Sequence, residues 1–193
     1  MLQIGAPPPE AFAACTVRDA AGTPHALADV WAHRPTLLRF IRHFGCIGCS
    51  EGIERLRPAL PELDRLGVQV VLIGCGAPHF IAGFLQQQRL LYSPVRCFTD
   101  ETLTAHRIAG LAHGAWGGWG PRGLYEQARA FVGGHVAGPI QGDPHQQAGA
   151  VLLDAAGVVR LVHRSRSLGD HPSARALLGA ALAIVADAQP LAR

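Results

Sequence analysis

The sequence has 193 residues, 49% of them hydrophobic and 16% charged, with a net charge of +3. That length supports one substantial core and points to a single domain, 1–193. So small and scattered a cationic excess argues against a nucleic-acid partner, and no run approaches the ~18 uncharged apolar residues of a membrane span.

Phe12 to Val17 and the segment around His25-Ala26-Leu27 flank the turn signal Asp19-Ala20-Ala21-Gly22, which predicts an N-terminal hairpin with Cys15 in its first strand. Thr36 to Ile41 is apolar nearly throughout, as expected of a strand buried on both faces, and leads through His43-Phe44-Gly45 to Cys46 and Cys49. From Cys46 to about Leu66 the apolar spacing is helical, carried by Ile53, Leu56, Leu60 and Leu63, with Pro58 and Pro61 set to divide it. A strand from Gly67 to Gly74, a helix from Pro78 to Leu91, a strand from Pro94 to Phe98 and a helix from Glu101 to Leu111 alternate as in a parallel α/β sheet. Residues 112–149, rich in Gly, Trp, Pro and Gln, break the rhythm; with one helix near Leu124 to Phe131, they read as a lid or pocket wall. Ala150 to Leu153 and Val158 to Val162 bracket Asp154-Ala155-Ala156-Gly157, a hairpin signal. Asp170, with Pro172 behind it, is the expected N-cap of a last helix reaching about Ala188.

Five cysteines, an odd number in a chain of this size, read as reduced thiols plus one special pair. Thiols two residues apart at a helix start can close a disulfide without unfolding the helix. Cys46 meets the free amides and the dipole there, which can lower a thiol pKa from ~8.5 to roughly 3.5–7.5. Cys46 is thus the expected nucleophile, and Cys49, one turn on, the thiol that resolves its adduct. Arg42 and His43 stand next to the motif and add positive potential. The competing reading, half of a zinc site, needs a second ligand pair; neither Cys75 nor Cys97 belongs to another C-x-x-C, and no metal is expected. Lacking a third glycine, Gly74-Cys75-Gly76 is not a phosphate loop.

Further candidates carry two readings each. Arg164 and Arg166, after the last strand, either lie near the thiolate and hold a peroxide or an anionic substrate, or are solvated at a strand end. Trp116 and Trp119 either cap a pocket over the cysteines or pack the lid on the core. Cys75, at the carboxyl edge of the sheet, is either a third redox cysteine or an inert buried thiol. Cys15 and Cys97 are expected in the core, and His145 and His171 as acid–base groups or caps.

Three segments, Phe40-Ile41-Arg42-His43-Phe44-Gly45-Cys46-Ile47-Gly48-Cys49, Gly142-Asp143-Pro144-His145-Gln146-Gln147-Ala148-Gly149, and His163-Arg164-Ser165-Arg166 with Gly169-Asp170-His171-Pro172, carry a family signal. Together they resemble the peroxiredoxin-like 2 branch of the alkyl hydroperoxide reductase and thiol-specific antioxidant superfamily, over nearly the whole chain. The resemblance implies a thioredoxin-like α/β fold: a central mixed sheet flanked by helices, an N-terminal hairpin and a lid-like insertion before the last hairpin. It implies a thiol oxidoreductase reducing a peroxide, endoperoxide or disulfide. No bound cofactor is required, and electrons come from thioredoxin, glutathione or another NADPH-linked thiol system. Two departures stand out. Typical peroxiredoxins carry threonine and proline where this chain has His43 and Arg39, so peroxide activation falls to His43 or an arginine. Thioredoxins carry a cis-proline where this chain has Gln147-Ala148-Gly149, leaving the opposite wall backbone-rich and open to a small substrate.

The alternative class is a thioredoxin-fold biosynthetic enzyme or ligand-binding protein acting on a dedicated small molecule, its cysteines redox-active, metal-loaded or vestigial. The N-terminus lacks the basic segment and apolar run of a secretory signal, so a cytoplasmic location is expected. Apolar surface left by the low charge content makes a homodimer possible.

Overall fold

The computed structural model describes residues 1–32, 34–114 and 120–188. In chain order the elements are α1 (Glu10–Ala13), β1 (Thr16–Arg18), β2 (Pro24–Ala26), α2 (Leu27–Trp31), β3 (Thr36–Phe40), α3 (Ile47–Leu56), a 3₁₀ turn (Arg57–Ala59) and α4 (Leu60–Arg65). They continue with β4 (Gln69–Gly74), α5 (Phe80–Gln87), β5 (Arg96–Thr99), α6 (Thr104–Ile108), α7 (Pro121–Val132), β6 (Gly149–Leu153), β7 (Val159–Arg164) and α8 (Ala174–Ala188).

The strands form one sheet in the order β2-β1-β5-β4-β3-β6-β7. The pairs β3–β4 and β4–β5 are parallel, while β1–β5, β3–β6 and β6–β7 are antiparallel, so the sheet is mixed. Side-chain alternation divides the interior into two layers. Leu38 and Phe40 of β3 face one layer with Phe12, Leu27, Trp31 and Ala105 from α1, α2 and α6. Leu37, and Ile41 just past the strand, face the other with Ile53, Leu63, Ile81, Phe84, Leu177 and Ile184 from α3, α4, α5 and α8. The central strands β3, β4 and β6 are buried along their whole length, which is why they read as apolar nearly throughout, Arg39 of β3 being the charged exception.

Both expected hairpins form, β1–β2 around Asp19 and β6–β7 around Asp154, whose carboxylate accepts the Ala156 and Val158 amides. The helical stretch after Cys46 is divided where its prolines stand: α3 ends at Leu56 and α4 begins after the 3₁₀ turn. Some boundaries differ from expectation. Cys15 lies in the turn after α1, not in a strand, and its thiol donates to the Ala11 carbonyl at 3.1 Å. The helix expected from Glu101 begins only at Thr104, because Leu103 takes a left-handed φ of 57° while Asp100 accepts the Thr104 amide. Asp170 is not the cap of the last helix; Ser173 Oγ accepts the Ala176 amide, and Asp170 pairs with His163.

Candidate active site

Past the carboxyl end of β3 the chain crosses Ile41 to Gly45 and enters α3 at Cys46. Cys46 occupies the N-cap with extended dihedrals (φ −75°, ψ 122°), which turns its sulfur toward the free amides of the first turn. The Cys49 thiol and the Gly48 and Cys49 amides lie close enough to that sulfur to stabilise negative charge on it. The Cys49 thiol, the nearby Arg42 guanidinium and the two amides outweigh burial and lower the Cys46 pKa to about 7. Cys49 moves the opposite way, raised first by burial and then because it is the donor to Cys46; its own sulfur accepts the Arg42 amide at 3.2 Å. All five cysteines are free thiols. One proton is thus shared by a pair whose members are pushed apart, one toward nucleophile and one toward acid.

A cavity of about 110 Å³ opens over Cys46, with Arg42, His43, Gln127, Gly138, Ile140, Pro144 and Leu168 among its walls. Arg42 is 3% exposed; one guanidinium nitrogen donates to the Pro144 carbonyl, while Nε and Nη1 have no partner among the described residues. His43 is also buried with Nδ1 unpartnered, and burial together with Arg42 lowers its pKa to about 4, so its ring is neutral at neutral pH. Buried donors without acceptors are costly, and here they gather around a thiolate, as a site for an oxygen-bearing ligand requires.

The wall of this cavity comes from the inserted segment. Helix α7 is held on α3 by Arg129, whose guanidinium grips the buried carboxylate of Glu51 at 2.5 and 2.8 Å. Glu126 accepts Ser167 Oγ at 2.8 Å and the Gly169 amide at 2.7 Å. After α7 the chain returns over the site: the Gly138 amide donates to the Gly45 carbonyl at 3.0 Å, and the Phe44 amide to the Gln141 carbonyl at 3.2 Å. A β-carbon on Gly45 would lie 1.8 Å from the Pro139 carbonyl oxygen, so only glycine permits this approach. Residues 137–144, not the expected Gln147-Ala148-Gly149, form the facing wall, and those three residues are buried outside the cavity lining.

The other sequence candidates are placed as follows. Cys75 sits beside the site rather than in its lining: its thiol donates to the Arg42 carbonyl at 2.7 Å, its sulfur accepts the Asp143 amide at 3.2 Å, and burial raises its pKa to about 11. Arg164 does not line the Cys46 cavity; it ties β7 to the Ala109 carbonyl at 2.9 Å and the Leu2 carbonyl at 3.0 Å. Arg164 and the exposed Arg166 line a separate cavity of about 720 Å³ with Arg122 and His163. A residue after a terminal strand can leave on either face of the sheet, which the sequence does not specify. Trp116 and Trp119 lie outside the described residues. His145 is exposed and beside His113, whereas His171 is half-buried and accepts from Arg39 at 2.7 Å. Arg39 is the residue that sequence reasoning passed over as a site group, although an arginine within Thr36-Leu37-Leu38-Arg39-Phe40 was itself the signal. Among the described residues no three His, Cys, Asp or Glu side chains gather as a metal site would need.

A thioredoxin-like mixed sheet, with a cysteine at the N-cap of the helix that follows its central strand, defines a peroxiredoxin-like thiol oxidoreductase. The profile of the AhpC/TSA antioxidant enzyme family matches residues 55–167, and the chain belongs to that family. It is 28% identical to peroxiredoxin-like 2C of Mus musculus over 191 residues, covering 92% of this chain and 82% of that protein. Its fold matches peroxidoxin BcpB of Mycobacterium tuberculosis with a TM-score of 0.64 at 18% identity, over 98% of this chain and 100% of that one. It also matches reduced Prx3 of Vibrio vulnificus, solved with hydrogen peroxide, with a TM-score of 0.65 at 15% identity, over 94% and 99% of the two chains.

Proposed function

We propose that this protein reduces a small peroxide through its cysteine pair, Cys46 attacking and Cys49 resolving. The observation that carries the reading is the Cys46 sulfur at the N-cap of α3, beside the Cys49 thiol and the first-turn amides, in a cavity lined by Arg42, two of whose guanidinium nitrogens have no partner among the described residues. The Cys46 thiolate attacks one peroxide oxygen and the O–O bond breaks. Arg42 stabilises the departing alkoxide or hydroxide, which leaves as alcohol or water on taking a proton. Neutral His43 offers a ring nitrogen to the bound peroxide in place of the usual threonine. Cys49 then displaces hydroxide from the sulfenic acid, giving the Cys46–Cys49 disulfide and water. An external dithiol or two glutathiones reduce that disulfide, so the cycle needs no bound cofactor. Five unpaired thiols suit the reducing cytoplasm.

The test is thiol trapping with mass spectrometry on wild type, Cys46→Ser and Cys49→Ser during titration with hydrogen peroxide and with a small disulfide. The reading expects a Cys46–Cys49 disulfide in wild type, a trapped adduct on Cys46 in Cys49→Ser, and no reaction in Cys46→Ser. Both thiols staying reduced in folded wild type would end it.

A further inference from the structure

We propose that Arg39 is the positioning residue of the resolving step: a buried guanidinium beneath α3, without a carboxylate partner, that draws the thiolate of Cys49 into being. This rests on the thiol-pair cycle above and assigns the group that makes its second half possible.

The placement follows from the strand. Alternation puts Arg39 on the same face of β3 as Leu37 and Ile41, the face that packs against Cys46, Cys49 and Ile53. Its neighbours in register, Leu72 of β4 and Ala150 of β6, are apolar members of the same layer. The guanidinium is 3% exposed and donates to the Gly149 carbonyl at 3.1 Å and to His171 Nδ1 at 2.7 Å. The His171 ring closes on α3 one turn past the motif, where a β-carbon on Gly52 would approach it to 2.9 Å. Strand, loop and helix thus clamp the cation on the inner side of the cysteine helix.

Both of its hydrogen bonds go to neutral acceptors, and no ion pair joins Arg39 to a carboxylate among the described residues. The groups whose charge bears on it are Cys49 from α3 and Asp170 from the loop before α8, both favouring its protonated form, with neutral His171 between. Asp170 is already engaged, by His163 at 3.1 Å and by the Arg166 amide at 2.8 Å. An arginine does not shed its proton in a protein, so the uncompensated cation persists. A Cys49 thiolate, itself disfavoured by burial, relieves it and is relieved by it.

The timing follows from the shared proton. While Cys46 is a thiolate, Cys49 is held protonated as its donor. Oxidation of Cys46 to the neutral sulfenic acid removes that demand, and Arg39 then favours ionisation of Cys49. The Cys49 sulfur attacks the Cys46 sulfur, the S–S bond forms as the S–O bond breaks, and the leaving hydroxide joins the proton released by Cys49 to give water. Arg42 serves the first half of the cycle from the cavity and also favours the Cys49 thiolate through its amide and its charge; Arg39 adds a second cation to that thiolate from below.

The experiment is a single turnover with one equivalent of hydrogen peroxide, across about pH 5 to 9. It follows sulfenic acid on Cys46 with a trapping diketone, and disulfide by mass, in wild type, Arg39→Gln and Arg39→Lys. Gln removes the charge while keeping a polar amide donor, and Arg39→Lys restores the charge without the guanidinium fork. The expected result is Cys46 oxidation within about twofold of wild type, with disulfide closure slowed about tenfold or more and its pH midpoint raised by about a unit in Arg39→Gln. Arg39→Lys restores most of both. Closure in Arg39→Gln with the wild-type midpoint, whether at the wild-type rate or uniformly slower at every pH, overturns the proposal. Should Arg39→Gln not fold, Arg39→Met, which fills the same space without charge, is read in its place against the same two outcomes. Wild type forming no disulfide at all is a different failure, that of the thiol-pair cycle, and takes this proposal with it.

Discussion

Arg42 touches the site three times: its amide donates to Cys49, its carbonyl accepts the Cys75 thiol, and the residue lines the cavity over Cys46. Reactivity toward peroxide follows the thiolate fraction of Cys46. It is therefore expected to fall as the pH drops through about 7, where that thiol is protonated. Replacing Arg42 by Met removes a cation that lowers the thiol pKa and the donors facing the leaving oxygen, so the midpoint moves up and the rate falls about tenfold or more. Competition for hydrogen peroxide against a reference thiol, as a function of pH, measures both effects. At this scale the sequence was most readable where the site is contiguous, since Arg42, His43, Cys46 and Cys49 are set by a single strand-to-helix junction. It was least readable where a side chain had to reach across the fold. Arg164 is the last residue of β7 rather than beyond it, and with Arg166 it serves another cavity; Arg39 revealed itself only as a charge in an apolar strand.

The long insertion behaves as two pieces with different anchors. Helix α7 is fixed to α3 through buried charge, whereas the returning strap at 137–144 is fixed by backbone contacts to Phe44 and Gly45. Gly45→Ala forces the strap away, because its β-carbon would collide with the Pro139 carbonyl. The expected outcome is a wider cavity: bulky maleimides should label Cys46 faster relative to iodoacetamide in the variant, with far-ultraviolet circular dichroism unchanged. Equal labelling ratios in variant and wild type would mean that the strap is not the barrier. The insertion was legible as a pocket wall from its length and composition, but not its contact face, because Gln147-Ala148-Gly149 and 137–144 are both rich in small and polar residues. Periodicity and turn chemistry located the strands, both hairpins and the proline break after α3. The cap of α8 was misplaced because Asp170 and Ser173 are both good capping residues, and only the partnership of Asp170 with His163 separates them.

For the molecule as a whole, two histidines set against arginines, His43 buried and His171 half-buried, shape the response to acid. His43 and His171 titrate in the folded state at about 4 and about 3, lowered mainly by burial with an adjacent arginine adding to it. In the unfolded chain both titrate near ~6.5, so between these limits the unfolded state binds more protons and stability falls as the pH drops from about 6.5. The slope can approach ~2.7 kcal/mol per pH unit when both contribute fully. Urea midpoints measured from neutral pH downward should show this decline, and a His43→Gln, His171→Gln double variant should flatten it.

The proton shared between Cys46 and Cys49 also lets the molecule report its own redox state by electrophoresis. Above about pH 7 the reduced pair carries a full negative charge on one sulfur, and a disulfide carries none. With an isoelectric point near 8.8, oxidised and reduced protein should separate as two bands on native isoelectric focusing, the oxidised band toward the cathode, with no label attached.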